Sequence, residues 1–224
     1  MKKIFILMVL IYSSSLSAQE TSRFIEVNGT SKIIAQADYI HFMIQIRNVA
    51  KTLEASRQQN VRDSDELVEI INQFRIAKED WELSPMKFGK EYSYKPERKL
   101  VGYFSQVTVS VKLKSLDDYY AFITELSKNK FYEIIHSEYR VSDLLKYHKE
   151  ATISAVKAAK EKAGYIAESM GVKVGKIIQI RELNKIQTYP NPFNKVSEMG
   201  SSQENISGRI SISRSVSMKV ELID

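Results

Sequence analysis

Three histidines and no cysteine limit the nucleophilic chemistry that this 224-residue chain can perform. Nucleophilic catalysis needs an activated nucleophile with a base within reach, and no serine stands in a G-x-S-x-G motif. His41 and His136 fall in segments with strand periodicity, and His148 falls in a predicted helix. Because histidine has many structural uses, these scattered positions favour surface or partly buried side chains. We therefore predict no catalytic residues and expect a protein that is not an enzyme.

The acidic and glycine-containing stretches have no pattern typical of a metal or phosphate site. H-E-x-x-H motifs and EF-hand loops are missing from the sequence, and the acidic stretch "DSDE" at 63–66 falls in a predicted helix. Its side chains would fan around the helix axis, which favours a solvated face. Glycine-rich phosphate loops are also missing. The sequence therefore predicts no metal-binding residues, no cofactor-binding residues and no cofactor.

Residues 1–18 show the order of features that is typical of a secretory signal peptide. A basic start, "MKK", is followed by the apolar run "IFILMVLIY", which is too short to span a bilayer, and then by small residues. We expect cleavage after Ala18, with cleavage after Ser17 as the alternative. A buried N-terminal helix is the competing interpretation. Without cysteine the chain has neither a lipidated cysteine anchor nor a disulfide, so we expect a protein exported to a periplasm or out of the cell.

Charge is spread along the rest of the chain. After removal of residues 1–18, 31 basic and 27 acidic residues remain, which gives a formal charge of +4. The interspersed signs are typical of a solvated surface. Such a mild positive balance is compatible with an anionic lipid or polysaccharide partner, but does not identify one.

Tyrosine and basic residues are mixed in the stretch "KEYSYKPERK" at 90–99. This composition is typical of platforms for single-stranded nucleic acid. Because export separates a protein from that ligand, we interpret the stretch as a loop between two strands with solvated charges, and we expect no nucleic-acid partner.

Alternating apolar residues predict the first strands. Two strands joined at "AQAD" are expected within 23–48, the second with an apolar residue at every other position from Ile40 to Ile46. A helix over about 52–74 follows, with Thr52 as its N-cap. Further strands are predicted near 80–88 and at 107–113, on either side of a loop that holds Pro96.

A second helix and a strand are predicted for 115–141. Ser115 is expected to cap the helix in the manner of a capping box. The helix should present an inward stripe of Leu116, Tyr120, Ile123 and Leu126. The segment "FYEIIHSEYRV" then has the composition of a strand.

The alanine-rich stretch from Asp143 to Met170 predicts one long helix, capped by Ser142 or Asp143 and ended by Gly171. Its lysines are expected to point into solvent, so the helix is interpreted as a packing element and not as a polyanion site. Its inward seam is predicted to consist of Thr152, Val156, Ala159, Ala163, Ile166 and Met170.

The C-terminal part predicts a strand, a loop and a final strand. The strand "GKIIQIREL" precedes a flexible loop at 187–205, which has no apolar periodicity. In the last strand Arg214 interrupts the apolar row. A bulge or a strand leaving its core is the preferred account, and an interface or channel-facing charge is the alternative. The apolar row consists of Ile210, Ile212, Val216, Met218, Val220 and Leu222.

Strands and helices are both frequent but do not alternate as regular βαβ units, which predicts the α+β class. We expect an antiparallel or mixed sheet packed with the long alanine-rich helix and two further helices. One domain over 19–224 is expected, with two intimate subdomains at about 19–114 and 115–224 as the alternative.

Several segments, taken in order, resemble the SIMPL domain family (DUF541). "VNGTSKIIAQADYIHFMIQI" is similar to the opening of that family, "LEASRQQN" to its first helix and "LVGYFSQVTVSVKL" to its G-Y-containing strand. "KEATISAVKAAKEKAGYIAESMGVKVGKIIQI" resembles its most recognisable part, an alanine-periodic helix followed by G-x-x-x-G and a strand. "SVSMKVEL" resembles its last strand. The loop at 187–205 departs from the family pattern.

The resemblance implies an α+β fold and a periplasmic or outer-membrane-associated location. Some bacterial members are described as immunogens that form large ring-like homo-oligomers, and another is linked to defence against oxidative stress. A eukaryotic member acts as an interaction protein in kinase signalling. Because no catalytic residues are established for the family, none is transferred to this chain.

Three hypotheses of function follow. The first is a non-enzymatic, self-assembling envelope protein with a role in envelope maintenance or oxidative-stress response. The second is a binding module for an envelope lipid, glycan or protein. The third is an enzyme with an unrecognised site, which would gain support if His41, His136 or His148 met a carboxylate.

Overall fold

The computed structural model describes residues 23–183 and 208–224. The expected signal peptide at 1–18 and the expected loop at 187–205 lie outside these residues. The described residues form two compact units. The first contains 23–31, 152–183 and 215–224, and the second contains 32–151 and 208–214. The division suggested by the sequence, near residue 114, falls inside the second unit.

Three helices and eight strands account for most of the described residues, and the α+β class is confirmed. The pairings recorded between strands are antiparallel. The strands are β1 Phe24–Gln36, β2 Tyr39–Ala50, β3 Trp81–Leu83, β4 Lys87–Ser93, β5 Lys99–Leu113, β6 Tyr132–Arg140, β7 Lys173–Leu183 and β8 Arg209–Ile223. The helices are α1 Leu53–Gln73, α2 Tyr119–Leu126 and α3 Leu144–Ser169.

A five-stranded sheet forms the frame of the second unit. Its strand order is β3-β5-β2-β6, and β4 also pairs with β5. Along β2 the even-numbered side chains from Ile40 to Ile46 are fully buried, whereas the odd-numbered ones are half-buried on the opposite face. This alternation confirms the predicted strand and separates an apolar face, which packs on α1 and α2, from a polar outer face.

Helix α1 follows the prediction at both ends. The hydroxyl of Thr52 accepts a hydrogen bond from the Ala55 backbone N–H at 3.2 Å, which confirms it as the N-cap. The predicted solvated face at 63–66 is partly wrong, because Asp63 and Ser64 are buried. Asp63 accepts hydrogen bonds from Asn48 at 2.6 Å and from Gln59 at 3.0 Å, so a buried polar network joins this helix to β2.

Helix α2 corrects the prediction for 115–126. The Ser115 side chain makes no capping hydrogen bond, and a 3-10 turn at Leu116–Asp118 precedes the helix. Because that turn shifts the helical phase, Tyr120 is exposed and the predicted stripe is wrong at that position. The buried residues of the helix are Tyr119, Phe122 and Leu126. The ring centroids of Phe42 and Phe122 lie 5.4 Å apart, so the observed helical phase packs α2 against the apolar face of the sheet.

The single strand predicted near 80–88 is two short strands, β3 and β4. The chain between them contains Pro85, which has no N–H to donate to a ladder. Ser84, directly after β3, makes the last hydrogen bonds to β5 before this proline. Its N–H donates to the Thr108 carbonyl at 2.8 Å, and its hydroxyl accepts from the Thr108 N–H at 2.9 Å.

The first unit consists of a three-stranded sheet, in the order β1-β8-β7, and the greater part of α3. The Asp143 carboxylate accepts a hydrogen bond from the Lys146 N–H at 3.0 Å, and Gly171 has a φ of +71°. Both predicted ends of the long helix are therefore confirmed.

The inward seam of α3 differs from the predicted one. Ala159 and Ala163 are buried as expected, but Met170 is 59% exposed, and Thr152, Val156 and Ile166 are half-buried. The helix buries an alanine at every fourth position instead, at Ala151, Ala155, Ala159, Ala163 and Ala167. Small side chains are needed because β1 lies close: a Cβ on Gly29 would be 2.1 Å from the Ala155 carbonyl oxygen.

Strand β8 buries the predicted apolar row. Ser215 and Ser217, which alternate with this row in the sequence, are buried as well, and each meets a polar side chain of β1. The Ser215 hydroxyl lies 2.9 Å from that of Thr30, and the Ser217 hydroxyl donates to Glu26 at 2.6 Å. Arg214 stays half-buried and reaches His148 of α3, with 2.5 Å between Nη2 and Nδ1.

Candidate functional site

The outer face of the five-stranded sheet brings together two of the three histidines. His41 lies on β2 and His136 on β6, as predicted, and their ring centroids are 6.4 Å apart. His148 lies on α3 beside Arg214 and does not take part in this cluster.

Antiparallel pairing determines which side chains surround His41. In the register of the sheet, His41 lies opposite Lys112 of β5 and opposite Glu138 of β6. Its Nε2 is 2.9 Å from the Ser110 hydroxyl, and its Nδ1 is 3.9 Å from Glu138 Oε1. We call Ser110, His41, His136, Glu138 and Arg140 the histidine–glutamate cluster.

Glu138 is the anion of this cluster, and only 8% of its surface is exposed. Arg140 forms an ion pair with Oε1, and His136 Nε2 lies 3.4 Å from Oε2. A buried carboxylate needs such partners because removing an isolated charge from water is costly. Burial lowers the pKa of Arg140, but the hydrogen bond and charge of Glu138 outweigh it, so the pKa of Arg140 is raised.

Burial lowers the pKa of His41 below its ordinary value, and the positive charge of Arg140 lowers it further. The negative charge of Glu138 acts in the opposite direction but does not reverse the shift. His41 is therefore mainly neutral at pH 7. Its Nδ1 is buried without a hydrogen-bond partner, which is uncommon for a polar atom inside a protein.

The cluster contains the components of a nucleophile–base pair but not a completed one. If Nδ1 carries the proton, Nε2 can accept a proton from the Ser110 hydroxyl. The carboxylate that would orient the base is 3.9 Å away, which is beyond hydrogen-bond range, and it is already bound by Arg140. The geometry thus gives a neutral histidine next to a hydroxyl, without the orienting contact of a catalytic triad.

Metal binding has no support among residues 23–183 and 208–224. No group of three histidine, aspartate or glutamate side chains in these ranges could hold a metal ion. Within the same ranges no helix is both long enough and apolar enough to cross a membrane.

Sequence reasoning named His41 and His136 but missed Ser110, Glu138 and Arg140. The signal that could have found them is the alternation of β2, β5 and β6, which places polar residues on one face. Alternation alone does not give the register: the pairing of β2 with β6, with His41 opposite Glu138 and Met43 opposite His136, places His136 beside His41.

A second feature of interest is β7, the edge strand of the three-stranded sheet. Its one recorded partner is β8, and its side chains are exposed along almost the whole strand. Five large apolar side chains of this strand are between 37% and 48% exposed: Val174, Ile177, Ile178, Ile180 and Leu183. Single exposed apolar residues are ordinary, but five on one edge strand make β7 a candidate interaction surface.

An open groove of about 510 Å³ lies at the C-terminal end of α3. It is lined by Gly164, Ala167, Glu168, Gly171, Val172, Lys173, Val174 and Asp224. Two carboxyl side chains and one lysine are its only charged side chains, and no histidine or hydroxyl group lines it. The groove therefore offers no nucleophile–base pair.

Comparison with known proteins agrees with the order of segments noted in the sequence. The search of curated proteins gave no significant match. A family model described as "SIMPL: Protein of unknown function (DUF541)" matches residues 25–220, which covers most of the chain and both units. The chain therefore belongs to the SIMPL family.

Proposed function

We propose that this SIMPL protein is a non-catalytic, self-assembling component of the bacterial cell envelope that acts in envelope maintenance or oxidative-stress response. The observation that carries the assembly proposal is the exposed apolar edge strand β7. The signal-peptide pattern of residues 1–18 supports export, and the incomplete nucleophile–base pair at His41 supports a non-catalytic role.

Strand β7 is suited to pairing with a second copy of the chain. The strand spans eleven residues, Lys173–Leu183, and alternate residues direct their backbone N–H and C=O groups to the edge opposite β8. Among the described residues no strand occupies that edge. Pairing there would satisfy those backbone groups and bury part of the isoleucine side chains. The chain has no disulfide, so an exported protein would gain stability from such assembly.

Lysine substitution of two exposed isoleucines tests this proposal. In Ile178→Lys/Ile180→Lys the added charges would face each other across a strand pair, so we expect the assembled mass to fall towards that of the monomer. The measurement is gel filtration with light scattering on the chain that begins at Gln19. Ile153→Lys, at an exposed position on α3, is the matched control and should keep the wild-type mass.

Two results would contradict assembly through β7. One is a strictly monomeric wild-type protein at high concentration, and the other is a double variant with the wild-type mass. Complementation then links assembly to the proposed role. In a strain that lacks this gene and is sensitive to peroxide, the Ile153→Lys protein should restore survival and the double variant should not.

A further inference from the structure

The hairpin formed by β4 and β5, residues 87–104, extends past the neighbouring strand. The last pair between β2 and β5 joins Ala50 to Tyr103, whereas β4 and β5 stay paired as far as Ser93 and Lys99. Residues 94–101 are all exposed. The tip of the hairpin is therefore available for contact with a partner.

Positive charge is concentrated in this hairpin. Five basic and two acidic residues in 87–104 give +3, whereas the whole chain from Gln19 onwards carries +4. Glu91 is engaged by Arg47 of β2 at 2.5 Å, so it does not neutralise the hairpin cations. Among the described residues no ion pair involves those cations, which are Lys87, Lys90, Lys95, Arg98 and Lys99.

Exposed apolar and aromatic side chains lie among these cations. Phe88 is 63% exposed and Tyr94 is 71% exposed, and Leu100 and Val101 are also exposed. The guanidinium of Arg98 lies 4.4 Å from the centre of the Tyr92 ring. Phe88 lies near the base of the hairpin, opposite Ser105, whereas Tyr94, Leu100 and Val101 lie at its tip. A solvated turn needs charges but no exposed aliphatic side chains, so a plain polar turn does not account for Leu100 and Val101.

We propose that the β4–β5 hairpin binds the surface of an anionic lipid bilayer. Lysine and arginine are attracted to anionic headgroups, while aromatic and aliphatic side chains enter the boundary between headgroups and acyl chains. The two kinds of side chain occur together at the exposed tip. An acidic polysaccharide would match the cations but gives Leu100 and Val101 no apolar phase to enter, so lipid is the better fit.

This binding surface lies wholly in the second unit and does not depend on assembly through β7. Association with vesicles can therefore be measured for the Ile178→Lys/Ile180→Lys protein as well as for the wild type. If lipid binding is lost only in hairpin variants, and assembly is lost only in β7 variants, the two proposals are separated.

Vesicle flotation tests the proposal. The chain beginning at Gln19 is mixed with vesicles of phosphatidylcholine alone or with vesicles that also contain the anionic lipid phosphatidylglycerol. We expect binding to the anionic vesicles only, weaker at higher salt because screening reduces the attraction. Lys95→Glu/Lys99→Glu should weaken binding by at least about tenfold, since each cation near such a surface contributes about fivefold.

Two matched variants make the result specific. Lys157→Glu/Lys160→Glu changes the net charge equally on the exposed face of α3 and should bind like the wild type. Tyr94→Ser keeps the charge of the hairpin and should still weaken binding to vesicles. The proposal is wrong if the wild type does not float with anionic vesicles, or if both charge variants lose binding equally. Binding to an acidic polysaccharide that Tyr94→Ser leaves unchanged, with no vesicle binding, would assign the hairpin to glycan.

Discussion

At the scale of single residues, the surroundings of His41 link its protonation to the stability of the fold. The groups that act on its ring are Arg140, Glu138, His136 and Lys112, three of them positive when protonated and one negative. Burial is the largest cause of the lowered pKa of His41 and the positive groups add to it, so the ring favours its neutral form in the folded protein. In the unfolded chain the same ring has an ordinary pKa, and folding is therefore linked to pH through this residue.

The linkage has a definite sign. Because the folded-state pKa of His41 lies below the unfolded value, the unfolded chain binds the proton first as the pH falls. The stability that the neutral ring provides is fully present above the ordinary histidine pKa of about 6.5. It is lost as the pH falls from there through the lowered folded-state pKa. We expect urea denaturation to give a lower free energy of unfolding at pH 5 than at pH 7.5.

Replacement of the ring isolates the contribution of His41. His41→Gln keeps a polar side chain near Ser110 but cannot titrate, so the difference in unfolding free energy between the two pH values should shrink. Measurement of both proteins at pH 8, where the ring is neutral, gives the baseline cost of the substitution. An unchanged pH dependence in the variant would show that other groups cause the loss at low pH.

Two glycines give a paired prediction at the same scale. A Cβ on Gly29 would meet the Ala155 carbonyl at 2.1 Å and the Ala159 nitrogen at 2.5 Å, whereas a Cβ on Gly164 has no atom within 4 Å. Gly29→Ala should lower the free energy of unfolding by about 1–3 kcal/mol through overpacking. Gly164→Ala, inside α3, should raise it by about 0.4–1 kcal/mol. Thermal or urea denaturation measures both, and equal effects of the two variants would exclude the close contact between β1 and α3.

At the scale of elements, the sequence predicted the features that depend on local periodicity. The existence and order of the strands and helices were correct for most of the chain, since alternation and capping are local properties. Of the six residues predicted on the inward face of α3, only Ala159 and Ala163 are fully buried. Its alanine row follows the i+4 direction because the β1 backbone at Gly29 comes close, and that contact is not visible in the helix sequence.

Helix α2 shows a second limit of local reasoning. The pattern of apolar residues in 116–126 fits two phases, one through Tyr120 and one through Tyr119 and Phe122. The aromatic contacts with Phe42 select the second phase. Because Phe42 lies more than 70 positions away, only the fold decides between them.

The histidine–glutamate cluster could be predicted in part. Strand alternation places His41 and Ser110 on the outer faces of their strands, but their proximity depends on the β2–β5 register. Glu138 requires the β2–β6 register as well, in which it lies opposite His41. Register is set by the packing of the apolar face over the whole sheet, so a functional interpretation of single residues was not available from the sequence.

At the scale of the molecule, the two units have cores of different size. The core of the second unit contains 21 buried residues, among them Phe42, Phe122 and Leu67. The core of the first unit contains seven, of which three are alanine. Burial of apolar area is the main favourable term in folding, so the first unit has much less of it to offset the ordering of its backbone.

This difference predicts unequal local stability, which hydrogen exchange can measure. Amides of β2 between Ile40 and Ile46 should exchange only through global unfolding, whereas amides of α3 between Ala155 and Ala163 should exchange through partial unfolding of the first unit. We expect a gap of about 2 kcal/mol or more between the two opening free energies. Measurement on the Ile178→Lys/Ile180→Lys protein, which is expected to be monomeric, removes any protection that the proposed assembly gives to the first unit. Equal opening free energies in that variant would mean that both cores unfold as one cooperative structure despite their different sizes.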